Sequence, residues 1–166
     1  MENYFLLFPI VFMLHEMEEI IGFKRWFEKN MDVVKKHRLL EKIHKQFSTE
    51  GFAMAVLEEY ILCIVLTGIS FFSKKYIIWI GFFIAFSIHL AVHIIQCVFI
   101  KRYIPALISS IILLPISLFL IGSSIDNFGY HFSNIAIVSA LAIILLMLNL
   151  LFAHWIMKAV TKSLHD

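Results

Sequence analysis

Five apolar runs divide this chain almost end to end: residues 3–23, 51–73, 76–100, 104–125 and 134–157. Each is close to the ~20 residues an α-helix needs to cross the hydrocarbon of a bilayer. Backbone in lipid must satisfy its own hydrogen bonds, so runs of this length predict helices rather than loops or open strands. Composition agrees, with 61% of residues in the hydrophobic set and 16% charged, where a soluble domain has about 45–50% apolar residues. The expected fold is therefore all-α: a polytopic membrane helical bundle of about five transmembrane helices, one integral-membrane domain over residues 1–166. The first run has no basic leader and no small-residue exit, and it ends in carboxylates, so it reads as a retained span rather than a signal peptide.

Charge sets the expected orientation. The connection after the first run carries Lys24, Arg25, Lys29, Lys35, Lys36, Arg38, Lys42 and Lys45. Lys101 and Arg102 follow the third run, and Lys158 and Lys162 follow the fifth. With five spans these twelve cations share one side, against Lys74 and Lys75 on the other. The positive-inside bias then puts the N-terminus outside and the C-terminus in the cytoplasm, in what reads as a bacterial plasma membrane. Residues 24–48 repeat apolar side chains (Val33, Val34, Leu39, Leu40, Ile43, Phe47) at helical spacing among lysines. This predicts a basic amphipathic helix on the cytoplasmic leaflet. The net charge of +2 is too small to imply a nucleic-acid partner; the expected partner is the lipid bilayer. Cys63 and Cys97 form no CxxC pair and read as small apolar side chains.

The ionisable residues inside the runs are the anomaly. They are His15, Glu16, Glu18 and Glu19 in the first, Glu58 and Glu59 in the second, and His89 and His93 in the third. Charged groups in a membrane are costly and tend to mark sites. Counting at ~1.5 Å per residue from the cytoplasmic boundaries puts His15 about 12 Å deep, Glu19 about 6 Å, Glu58 and Glu59 about 10–12 Å, His93 about 10 Å and His89 about 16 Å. Three helices thus bring these groups to one layer. His15, Glu18 and Glu19 share a side of the first helix, and His89 and His93 share a side of the third. Glu58 and Glu59 cannot both point the same way, so one reads as a ligand and the other as a supporting or rim residue. None of these three runs contains Lys or Arg, so converging carboxylates need another source of positive charge.

One or two transition-metal ions would supply it. Helix-borne Glu and His converging in a bundle is the arrangement of di-metal carboxylate proteins, and imidazole with carboxylate suits Fe, Mn or Zn. The ligand candidates are His15, Glu18, Glu19, Glu58, Glu59, His89 and His93, with Glu16 and Glu59 as candidate catalytic bases. His154, beside Trp155, reads as an interfacial residue. His37, Glu41 and His44 share a face of the cytoplasmic segment and read as solvated surface. Plainer alternatives exist for the parts: an early helix end at Leu14, a proton relay at Glu58–Glu59, or core histidines at 89 and 93.

"HEMEE", residues 15–19, fits His-x-x-Glu-Glu and resembles the small bacterial HXXEE-motif membrane proteins, whose multi-helix pattern the spans also match. The resemblance implies a site at His15, Glu18 and Glu19, joined by Glu58 or Glu59 and by His89 or His93, and an enzymatic role of unspecified reaction. The same five residues contain H-E-x-x-E, the zinc-protease helix motif with its second His replaced by Glu; there His15 and Glu19 would bind and Glu16 would act as base. Two function classes follow. One is a membrane-embedded metalloenzyme acting on a lipid or other apolar substrate, by hydrolysis or by dioxygen-dependent oxidation. The other is a metal-ion or proton-coupled carrier, or a metal-binding sensor; the lack of an inverted repeat weighs against a secondary transporter.

Overall fold

The computed structural model describes residues 5–164, all helices and connections. The first expected run begins at residue 3, outside the described residues. Among the described residues, seven α-helices follow in order: α1 (Leu7–Lys29), α2 (Met31–Val34), α3 (Arg38–Lys45), α4 (Thr49–Ser73), α5 (Tyr76–Ile100), α6 (Leu107–Phe128) and α7 (Phe132–Ser163). Among the described residues, α4, α5, α6 and α7 are long and apolar enough to cross a membrane, which makes this an integral membrane protein. α1, at 23 residues, has the length, but Glu16, Glu18, Glu19, Lys24 and Arg25 leave it outside that apolar class. The five expected spans therefore divide into four apolar helices and one that carries charge along its middle.

The bundle closes on itself. α5 is the most buried of the four apolar helices and packs on α6 and α7; α7 packs on α4; α4 packs on α1; and α1 returns to α6. Ser48 caps α4, accepting from the Gly51 amide at 2.9 Å. α4 turns into α5 within two residues, with Lys74 in the left-handed region at φ 55°, so the two helices are antiparallel neighbours. α6 continues through Pro115, whose missing amide removes one backbone bond without ending the helix.

One end of the core is a column of aromatic rings from α1 and the residue Phe5 before it, α5 and α6. Phe5 stacks on Tyr76 at 4.4 Å and meets Trp79 edge-on at 4.7 Å, and Tyr76 stacks on Phe128 at 4.6 Å. At the other end, Trp26, Phe27, Val34, Cys97 and Ile104 form a second cluster, covered by Leu40, Ile43 and Phe47. This cluster changes the reading of residues 24–48, which do not form one amphipathic helix. α1 runs on to Lys29, and the chain then breaks at Asn30 and again at 35–37. The physical reason is burial: Val33 and Val34 turn inward to 8% and 0% exposure, which a continuous surface helix would not allow. Both cysteines are free and buried.

Candidate metal centre

Four of the expected residues converge. His15 and Glu19 of α1 meet His89 and His93 of α5, each offering one ligand atom, and these atoms all lie within 4.8 Å of one another. The spacing explains the meeting: residues four apart lie one above the other on a helix, so each helix presents two donors. His93 Nε2 lies 3.0 Å from His89 Nε2 and 3.1 Å from Glu19 Oε1. Metal–ligand bonds near 2.1 Å in a tetrahedron put ligand atoms about 3.4 Å apart. Two of the separations are therefore already near that edge, and the others need only side-chain adjustment. The three imidazole rings pack with centroids 4.4–5.2 Å apart.

His15, Glu19 and His93 are 0%, 6% and 7% exposed, whereas His89 is open at the bundle surface. His15 Nε2, Glu19 Oε1 and His93 Nδ1 are buried without a hydrogen-bond partner. Glu19 Oε1 is close to His93 but lacks the alignment of a hydrogen bond. Each buried orphan costs about 1–3 kcal/mol, so a purely hydrogen-bonded cluster leaves several kcal/mol uncompensated. A cation among these atoms would take up His15 Nε2 and Glu19 Oε1 at once. The donor set of imidazoles with one carboxylate fits Zn, Fe or Mn.

The remaining candidates are placed differently. Glu16 is buried at 4% exposure and interacts electrostatically with Glu19 and with Glu59. Glu59 therefore faces α1, beside the four-residue group, while Glu58 turns the other way and accepts a hydrogen bond from Asn149 Nδ2 of α7 at 3.2 Å. Glu18 is held at the start of α6. Its carboxylate accepts from Tyr103 Oη at 2.6 Å, from the Ser109 amide at 2.7 Å and from the Ile108 amide at 3.3 Å. It thus occupies the N-terminus of α6, where free amides and the helix dipole favour an anion. The exposed His154 directs Nδ1 to the Leu150 carbonyl at 2.7 Å. His44 packs edge-on against Phe27 at 5.3 Å, Glu41 pairs with Lys45 at 2.7 Å, and His37 precedes α3 in extended backbone.

Sequence reasoning does not reach the segment 101–106 and the start of α6. Ser109 Oγ lies 3.0 Å from His15 Nδ1. α1 is docked to this segment along its second half. A Cβ on Gly22 would come within 2.7 Å of Pro105 Cβ, so only glycine permits the approach. Trp26 Nε1 donates to the Tyr103 carbonyl, and Arg102 makes a two-pronged bond to Asp32 at 2.7 and 2.9 Å. Those bonds from Arg102 hold the Asp32 carboxyl below the usual carboxylate range. Burial and the neighbouring Glu18 carboxylate push the Tyr103 phenol up to about 12, so it stays a donor at neutral pH. Serines before an apolar run give no sign of such a contact; only Gly22, one turn past the charged stretch, hints at a close approach.

No curated protein and no solved structure matches this chain. A family model does, over residues 6–120, which is most of the chain and takes in every residue of the four-donor cluster; its description is "Protein of unknown function with HXXEE motif". The chain belongs to that HXXEE-motif family.

Proposed function

We propose that this protein is a membrane-embedded metal-dependent enzyme whose ion is held by His15, Glu19, His89 and His93, and that it hydrolyses a lipid or another apolar substrate. The observation that carries the reading is the convergence of four donors within 4.8 Å, two of them ending in buried orphan atoms. The ion would acidify a water molecule and polarise a carbonyl or phosphoryl oxygen. Glu59 and Glu16, beside Glu19, are the carboxylates that would take the proton. They would supply the general base that hydrolysis by a metal-activated water needs. The proposed topology takes α1 as a fifth span in a bacterial plasma membrane, N-terminus outside, with α2, α3, the 101–106 segment and the C-terminus on the cytoplasmic side, as the lysine and arginine distribution favours. An apolar substrate is supported by the exposed edge of His89, flanked on α5 by Ile88 and Val92 at 45% and 41% exposure.

The test is metal analysis of the purified protein beside His15→Ala, Glu19→Ala and His93→Ala. A tightly held transition metal in the wild type that each variant loses is the expected result, and metal-free, folded wild-type protein overturns it. Zinc would favour hydrolysis; iron would turn the reading to oxidation. Glu59→Gln is expected to keep the metal and lose turnover.

A further inference from the structure

We infer that Glu18, the first glutamate of the motif, is a positioning residue rather than a ligand: it holds Ser109 where that hydroxyl orients the His15 imidazole with its bare nitrogen toward the other donors. This rests on the metal reading above. It starts from hydrogen-bond capacity. Ser109 Oγ lies 3.2 Å from the Ala106 carbonyl and within hydrogen-bonding reach of the Glu18 carboxylate; both can only accept, so the single hydroxyl proton goes to one of them. The 3.0 Å contact with His15 Nδ1 is then donated by the imidazole. A neutral ring protonated on Nδ1 has its lone pair on Nε2, the atom that is buried without a partner. Orientation of a ligating histidine through its other nitrogen is how outer residues commonly tune metal sites.

Glu18 determines where Ser109 stands. Ala106 precedes α6 with φ 90° and supplies no side-chain cap. The cap comes instead from α1, through the Glu18 contacts to the Ser109 and Ile108 amides at 2.7 and 3.3 Å. His15 and Glu18 lie three apart, on one face of α1, and both grip Ser109, one by its hydroxyl and the other by its amide. Tyr103 donates at 2.6 Å to the same Glu18 oxygen as Ile108, so both oxygens of the carboxylate already have donors. Glu18 also lies outside the group whose ligand atoms fall within 4.8 Å. The motif therefore divides its labour: His15 and Glu19 bind, and Glu18 fixes the partner helix that aims His15.

The test is cobalt(II) titration of the full-length protein in detergent, followed by the ligand-field absorption band, with histidine ¹⁵N NMR of the wild type. Glu19→Ala should lose the band. Ser109→Ala, which removes one hydroxyl and keeps the Glu18 cap, should bind cobalt about 10- to 100-fold more weakly with the band position unchanged. Ser109→Thr should restore affinity. Glu18→Ala should weaken binding similarly without shifting the band, and adding Ser109→Ala to it should cost little more. The NMR spectrum should show His15 protonated at Nδ1. Wild-type affinity in Ser109→Ala, a His15 proton on Nε2, or a Glu18→Ala spectrum altered as in Glu19→Ala would each overturn the positioning role while leaving the metal centre standing. A wild-type protein that takes up no cobalt would remove the metal centre and this role together.

Discussion

The two halves of α1 face the same bundle and do opposite things. Its first half contributes Phe8 and Phe12 to the aromatic column, which Phe5 extends just before the helix; its second half contributes His15, Glu16 and Glu19 to the polar layer. The boundary is sharp, because the His15 ring meets Phe86 of that column edge-on at 5.7 Å. In the aromatic half the rings pack on one another and the indole is bonded: Phe8 packs on Phe83 at 4.8 Å, and Trp79 Nε1 donates to the Phe5 carbonyl at 3.1 Å. In the polar half, atoms of comparable burial have no partner. One half holds the fold together, and the other is held by it. Substitutions should separate the two cleanly.

The largest expected effect is on metal binding. A four-ligand site is worth roughly 10–16 kcal/mol in favourable cases, so losing one donor in His93→Ala should weaken binding by about 100-fold or more, read by metal content after dialysis. The same logic predicts that Glu19→Gln makes the metal-free protein no less stable, since a buried carboxyl with no cation beside it gains nothing from being ionisable. Unfolding of the metal-free variant below wild type would break the contrast. Trp79→Ala should do the reverse, lowering stability by about 3–5 kcal/mol while the folded fraction keeps a wild-type cobalt spectrum.

Gly22→Ala tests the junction between α1 and the 101–106 segment. The new Cβ would press on the rigid Pro105 ring, so stability should fall by about 1–3 kcal/mol. Cobalt affinity should fall with it, because the start of α6 moves. Smaller still is Glu58→Gln. It keeps an acceptor for Asn149, so the change should stay within about 1 kcal/mol, with metal content and turnover unaffected, in contrast to Glu59→Gln. The smallest effect concerns Asp32. Its folded pKa lies below its unfolded value, so its contribution is present above the unfolded pKa and is lost as pH falls through the folded one. An acid titration of unfolding in Asp32→Asn should therefore differ from wild type only at neutral pH and converge with it in acid. The pair is exposed, and added salt should shrink the difference.

Much of this was legible beforehand. The apolar runs announced the helices, because lipid-length stretches without charge have few other folds. Helical spacing placed His15 with Glu19 and His89 with His93 on shared faces, and depth counting brought the two helices to one layer. What periodicity could not decide is which way a side chain turns when two orientations are open. Glu18 lies on the same face as His15, and spacing alone made it a ligand candidate; the α6 amides claim it instead. Glu58 and Glu59 were equivalent in the sequence, and the position of α7 beside α4 separates them. The 24–48 segment misled because its apolar spacing is helical whether it lies on a leaflet or folds onto Trp26 and Phe27.

The sequence by itself determined the helices, their apolar character and the shared level of the ionisable residues along them, since those follow from local chemistry along one axis. Only the tertiary structure decided which donors meet. That choice depends on how close two helices come and which free amides compete for a carboxylate, and at Gly22 and Ser109 both are set by residues far apart in the chain.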